Sequence, residues 1–140
     1  MIQLKYGYDF KTDIIGKWKS KDATAVAAGK IVDLDTNGDL AVASALGYFL
    51  LQDVTTDGPS FNERELGVWQ WDVKAGSPAA VAPAKKGAVI WIDNMAGTAP
   101  VAGDEVEAAT GGVLQKKSTG TAVGKVLSVP ATGVYEIILY

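Results

Sequence analysis

Residues 29–43 read GKIVDLDTNGDLAVA, and their pattern indicates two strands joined by a tight turn. Ile31 and Val32 are apolar residues before the turn, and residues 40–43 are apolar residues after it. Between them, Asn37 and Gly38 form the dipeptide that most readily adopts the positive φ angles of a two-residue hairpin turn. We therefore expect a β-hairpin here, in a fold of short antiparallel strands.

Further strand-like runs lie on both sides of this hairpin. They occupy residues 2–10, 48–52, 66–73, 88–92, 104–107, 112–115, 122–128 and 134–140. Sixteen glycines and five prolines interrupt them, with turn signals about every 8–12 residues, the spacing typical of a sandwich or a small barrel. The sequence therefore predicts a mainly β, compact β-sandwich or β-barrel-like domain with at most one or two short helices.

Two short stretches are helix candidates, and a third segment is less regular. Residues 22–28 fit a short helix that Asp22 would cap, and they fit a strand or an extended link equally well. Residues 61–66 form a second helix candidate, in which Ser60 would be the cap and Glu63 would complete a capping box. Residues 76–86, rich in alanine and proline, are predicted to form an exposed extended connection.

The chain of 140 residues contains neither cysteine nor histidine. This composition excludes disulfides, thiolate metal sites, a cysteine nucleophile and the serine–histidine triad. The net charge of −3 is unevenly spread: residues 1–30 hold six lysines and three acids, a balance of +3, and residues 31–140 hold seven basic and thirteen acidic residues, a balance of −6. We expect no direct nucleic-acid partner. Neither a signal-peptide pattern nor an apolar run of about 20 residues occurs, so we expect a soluble chain without a membrane partner.

One candidate metal site lies in the first hairpin. Asp33, Asp35, Asn37 and Asp39 follow the pattern D-x-D-x-N-G-D, the first half of a calcium-binding loop. The last loop position, which should supply a bidentate glutamate, is Ser44, and the flanking runs look like strands rather than helices. The interpretation that we favour is a polar hairpin tip, in which aspartate and asparagine form the turn.

Two other patterns suggest chemistry. Glu105 and Glu107, next to Asp104, would share one face of a strand and could act as an acid–base pair, although a solvated strand face is the favoured interpretation. Trp69 and Trp71 would likewise share a strand face, as a platform for a sugar ring or as core or intersubunit packing. The sequence identifies no catalytic residue.

The N-terminal segment is the strongest candidate for a partner-binding surface. Its aromatic and aliphatic residues alternate with polar ones, and an extended terminal segment can add a strand to a partner's sheet. The alternative is that it forms the first strand of the domain's own sheet. A short basic and aromatic patch follows, so the candidate interface residues are Ile2, Leu4, Tyr6, Tyr8, Phe10, Lys17, Trp18 and Lys19. We divide the chain into an extended arm or strand over residues 1–21 and one β domain over residues 22–140.

Several glycine-and-strand motifs recur in a recognisable order. They are GKIVDLD at 29–35 with NGDL at 37–40, GYFLL at 47–51, KGAVIW at 86–91, GDEV at 103–106, GGVL at 111–114, VGKVL at 123–127 and GVYEIILY at 133–140. In this order the chain resembles the small bacteriophage capsid decoration proteins, also called head-stabilisation or cement proteins. The resemblance covers residues 23–52 and 86–140, and it implies that residues 53–85 are an insertion.

The resemblance implies a compact domain of β-tulip type that binds the outer surface of an assembled phage head. The partner would be the major capsid protein, whose neighbouring subunits the protein would clamp, and a homotrimer is the favoured assembly. The protein would be a structural part of the virion, made in the host cytoplasm, with no catalytic activity and no cofactor. The alternatives are a carbohydrate-binding module and another virion β domain from a tail or head fibre.

Overall fold

The structure, a computed structural model, describes residues 1–10, 12–53 and 68–140. Within these ranges the chain is all-β. The strands are β1 (Ile2–Tyr6), β2 (Ile15–Lys19), β3 (Ile31–Leu34), β4 (Leu40–Val42), β5 (Tyr48–Asp53), β6 (Val68–Trp69), β7 (Pro78–Pro83), β8 (Val89–Ile92), β9 (Met95–Ala96), β10 (Glu105–Ala109), β11 (Val113–Lys116), β12 (Gly124–Ala131) and β13 (Val134–Leu139). None of the described residues belongs to a helix that could cross a membrane.

The strands form two sheets, which confirms the predicted β-sandwich. The larger sheet has the order β6-β1-β8-β13-β12-β10-β11-β9, and the smaller has the order β2-β7-β5-β3-β4. Neighbouring strands are antiparallel throughout, except that β9 and β11 run parallel. The two ends of the smaller sheet approach each other just after β2, where Ser20 and Leu40 form a parallel bridge.

The main core fills the space between the sheets. Strand alternation selects its members: on β13, Tyr135, Ile137 and Leu139 point inward and are buried. The smaller sheet contributes Phe49 and Leu51 among others to the same cluster. The period-2 pattern of the sequence therefore identifies the inward face correctly wherever one face of a strand meets the core.

A second, smaller core lies on the opposite face of the five-stranded sheet. Leu50, Val32 and Val81 point into it, together with Val26 and Val73, which bridge each other through paired backbone hydrogen bonds. Both faces of β5 are consequently buried. That is why the sequence YFLL at 48–51 is continuously apolar instead of alternating.

The first hairpin forms as predicted between β3 and β4, with Leu34 opposite Leu40. Its loop is longer than the expected two residues: it spans residues 35–39, and only Gly38 has a positive φ, of 79°. Asp35 stabilises this longer loop, because its carboxylate accepts hydrogen bonds from two backbone N–H groups within it.

The N-terminal segment is a strand of the domain's own sheet. Strand β1 lies between β6 and β8, and Ile2 and Leu4 are buried in the main core. Strand β2 pairs with β7. Of the two alternatives that the sequence left open, arm or strand, the described part of residues 1–21 therefore fits the strand, because the inward side chains of β1 are needed to fill the core.

For residues 22–28 the structure selects one of the alternatives that the sequence left open, and for residues 76–86 it differs from expectation. Residues 22–28 contain no helix; Val26 bridges Val73, as in a strand or an extended link. Residues 76–86 are extended, but only the ends of the range are exposed, since β7 lies between β2 and β5 with its four central residues buried. Alanines suit this inner strand because both of its faces are covered, and Pro78 and Pro83 occupy its ends, where proline disturbs the sheet least. The helix predicted at residues 61–66 lies outside the described residues, as does part of the proposed insertion at 53–85.

Candidate binding surface

The acidic hairpin tip is organised as a turn. Asp35 Oδ1 accepts the backbone N–H groups of Asn37 at 2.8 Å and Asp39 at 3.0 Å, and its Oδ2 lies 3.0 Å from Lys21 Nζ. The bond from Asp39 is the chief reason that the pKa of Asp35 lies below its usual range. Asp33 Oδ1 accepts the N–H of the following residue. Across the described ranges, no group of three or more acidic side chains is placed to hold a metal ion. The Asp33 and Asp35 carboxylates instead accept backbone N–H groups of the hairpin, which is the geometry of a turn.

Glu105 and Glu107 do not share a solvated face. Glu105 is exposed and accepts a hydrogen bond from the Tyr140 hydroxyl, whereas Glu107 is only 4% exposed. Glu107 accepts the Gln115 amide at 2.7 Å and the Gly120 backbone N–H at 2.6 Å. The bond from Gln115 is the main cause of the lowered pKa of Glu107, which burial opposes. The expectation of a solvated face is wrong for Glu107, because the loop after β11 folds over it.

The two tryptophans do not form one platform. Strand β6 ends at Trp69, which is buried in the main core and donates its indole N–H to Gln52 Oε1 at 2.9 Å. Trp71 lies beyond the strand and is 58% exposed. It lines an open cleft of about 450 Å³ together with Asp53, Gln70, Asp72 and Lys74.

Four of the eight predicted interface residues are unsuited to contact a partner. Ile2 and Leu4 are core residues. The Tyr8 hydroxyl donates to the carbonyl of Pro83 at 2.8 Å, and burial raises the pKa of Tyr8 to about 12. Trp18 is half-buried on the second core, where its ring meets the Tyr48 ring edge to face at 5.3 Å. The sequence could not separate these residues from their neighbours, because burial depends on strands that lie far away in the chain.

The other four are exposed, and three of them lie on one side of the sandwich. Tyr6 belongs to the larger sheet. Phe10 packs edge to face against Trp69, with ring centroids 5.9 Å apart. This contact lies on the side of the sandwich formed by two edge strands, β6 of the larger sheet and β2 of the smaller sheet. Lys17 and Lys19 lie on β2 itself and are exposed.

A small apolar cleft opens at this side. We call it the Phe10 cleft; it has a volume of about 130 Å³ and is lined by Phe10, Ile14, Gln52, Trp69 and Ala80. Ala80 lies between Ala79 and Val81, whose partners on β2 are Trp18 and Ile15, so it stands opposite the irregular pair of residues 16 and 17. In the sheet register, the cleft therefore lies level with residues 16 and 17, although no residue of β2 lines it. We call the cleft together with the outer edge of β2 the β2 edge surface.

The segment that carries Phe10 is tied to the body of the sandwich. Asp13 accepts the backbone N–H of Asp9 at 2.7 Å and pairs with Lys85 Nζ at 2.8 Å. The bond from Lys85 is the largest of the effects that hold the pKa of Asp13 below its usual range. These contacts fix one wall of the Phe10 cleft. Sequence reasoning found Phe10 but missed Gln52 and Ala80, for which no local signal exists.

No protein-family model matches the sequence, and a search of curated proteins finds no significant match. The candidate surface is therefore assigned from its own shape and charge.

Proposed function

We propose that the protein is a non-enzymatic structural component of a phage virion, which binds the outer surface of the assembled head and holds neighbouring major capsid protein subunits together. The observation that carries this proposal is the placement of the family-like motifs. Each of them coincides with a strand of the sandwich or the turn before it, from GKIVDLD on β3 to GVYEIILY on β13. The motifs thus form the framework of one two-sheet β fold, the fold class that the resemblance implies.

The physics of such a role is compatible with a modest binding surface. A head presents many identical sites, and a homotrimer would engage several at once, so that weak individual contacts add up to tight attachment. A sandwich whose cores are both filled is a stiff body, and stiffness lets it resist the separation of the subunits to which it is bound. The β2 edge surface combines an apolar cleft with two exposed lysines of β2, and this chemistry suits protein contact.

The test is to mix the purified protein with expanded, undecorated heads of its own phage. We expect saturable, stoichiometric binding and a higher melting temperature of the decorated heads. The same heads without the protein give the reference temperature. Absence of binding to these heads would refute the proposal.

A carbohydrate-binding role is the second candidate, because Trp71 presents an exposed indole beside Asp53, Gln70 and Asp72 in a cleft. Sugars stack on indoles, and their hydroxyls bond carboxylates and amides. Glycan binding that Trp71→Ala abolishes would support it. A blank glycan array, with tryptophan fluorescence unchanged by polysaccharide, would exclude it.

A further inference from the structure

We infer that the β2 edge surface binds an extended acidic segment of a partner protein, which lies along β2, inserts one apolar side chain into the Phe10 cleft and sets its carboxylates beside Lys17 and Lys19. The proposed function enters only in naming that partner as the major capsid protein.

The first step is the outer edge of β2, over residues 15–18, which is the backbone part of this surface. This strand ends the five-stranded sheet and pairs with β7 on one side. On the other side, β4 reaches only the end of β2, where Ser20 bridges Leu40 and the Lys21 N–H donates to the Leu40 carbonyl; among the described residues, no strand pairs with residues 15–18 on that side. An end strand with free N–H and C=O groups is a template on which an extended segment adds as a further strand.

The second step is charge. Lys21, Lys85 and Lys116 each pair with an aspartate. By contrast, neither Lys17 nor Lys19 has an ion pair with a described carboxylate; the Lys17 ammonium lies over the Trp18 ring at 5.2 Å. Two cations that have no described carboxylate partner are complementary to an acidic segment, and they steer its approach.

Lysine on an end strand has a second known use, because it discourages unwanted pairing of sheets. That explanation requires no neighbouring cleft and predicts no preference for an acidic partner. The two explanations therefore differ in a measurable way.

The third step is the Phe10 cleft. Its volume of about 130 Å³ corresponds to about four water molecules at the liquid density, the scale of a single side chain. Four of its five lining residues are apolar or aromatic, and the Oε1 atom of Gln52 already accepts the Trp69 indole N–H. The cleft thus favours an apolar anchor. Because it lies level with residues 16 and 17 of β2 in the sheet register, one continuous segment can carry both that anchor and the acidic flank.

Nucleic acid fits this surface less well. Two lysines neutralise few phosphates, and phosphate contacts supply most of the affinity of such complexes. An acidic peptide instead gains from the strand edge, the lysines and the cleft together.

The experiment uses the full chain and labelled synthetic peptides, with binding followed by fluorescence anisotropy. The probe is a Thr- and Val-rich peptide with one central leucine and a run of glutamates at one end. Two control peptides carry lysines in place of the glutamates, or serine in place of the leucine. The protein variants are Lys17→Glu with Lys19→Glu, and Phe10→Ala. Their matched controls are Lys117→Glu and Leu127→Ala, which alter an exposed lysine and an exposed apolar residue away from the surface.

We expect the acidic peptide to bind, and added salt to weaken it. The double lysine variant should bind at least about ten-fold more weakly, a factor equivalent to about 1.4 kcal/mol, while both control variants should bind normally. Phe10→Ala should weaken the leucine peptide but not the serine peptide, which is the non-additivity of a direct contact. Melting temperatures show whether each variant is folded.

The inference is overturned if the acidic peptide does not bind, if the lysine peptide binds equally well, or if the double lysine variant binds like the unaltered protein. Binding of the protein to phage heads distinguishes failure of this inference from failure of the proposed function. A double variant that still decorates heads refutes the site and leaves the proposed function standing. If the protein binds the acidic peptide but does not bind heads, the site stands and the proposed function is refuted.

Discussion

The burial of β5 on both faces leads to a direct test of the fold. Leu50 and Leu51 are adjacent in sequence and 1% and 0% exposed, yet they belong to different cores. In a simple two-sheet sandwich, one of two successive residues faces solvent. We therefore compare Leu50→Ala with Leu51→Ala and expect both substitutions to be strongly destabilising.

The magnitude follows from the burial. Each substitution removes three carbon atoms, worth about 0.8 kcal/mol each when buried, and therefore about 2.4 kcal/mol together. The cavity left behind raises this to about 3–4 kcal/mol, within the range measured for buried leucines. For a chain of this length, such a loss lowers the melting temperature by about 10 °C or more.

Equilibrium unfolding in urea, followed by tryptophan fluorescence, measures the free energy of unfolding of each variant. Leu127→Ala is the matched control: Leu127 is 43% exposed, and its loss should change the free energy of unfolding by less than about 0.5 kcal/mol. If Leu50→Ala behaves like this control while Leu51→Ala does not, the second core is absent and our account of the smaller sheet is wrong.

Three further predictions concern single residues. The pKa of Tyr8 is raised from 10.0 to about 12, so the stability that the neutral side chain contributes is complete below pH 10 and is lost as the pH rises through about 12. Tyr8→Phe should therefore reduce the loss of unfolding free energy at alkaline pH, measured by urea titration. An unchanged dependence of this free energy on pH would contradict the burial of Tyr8. The pKa of Glu107 is lowered, so the stability that its carboxylate contributes is present at neutral pH and is lost as the pH falls through the folded-state pKa. Glu107→Gln should make the melting temperature less sensitive to acid. Equal acid sensitivity of the two proteins would contradict a stabilising role of the Glu107 carboxylate. In Gly112→Ala, the new Cβ would lie 2.7 Å from the Ile31 carbonyl oxygen at a φ of +70°, which should cost more than about 2 kcal/mol; Gly111→Ala, with open space around it, should cost clearly less in the same urea assay, and equal losses would refute the clash.

Much of the strand pattern could be predicted locally. Strand β13 shows clean alternation, and its inward residues are those that the pattern selects. Strand β7 could not be recognised, because alanine and proline give a weak signal in any short window and are common in connections. Its position between β2 and β5 converts those alanines into core residues.

The candidate site divides in the same way. Lys17, Lys19 and Phe10 stood out by residue type and by their nearness in the sequence. Glu107 looked like an ordinary surface acid, because the segment that covers it follows more than ten residues later. Trp69 and Trp71 looked equivalent until the end of β6 separated them.

The sequence by itself determined the class of fold. Alternation, apolar runs and turn residues act over a few positions, and they require a β protein punctuated by glycine. The tertiary structure alone decided that β1 is an inner strand, that the smaller sheet covers a second core, and that residues 10, 52, 69 and 80 meet in one cleft. The reason is physical: a period-2 pattern specifies which side chains share a face, but not which strand will lie against that face.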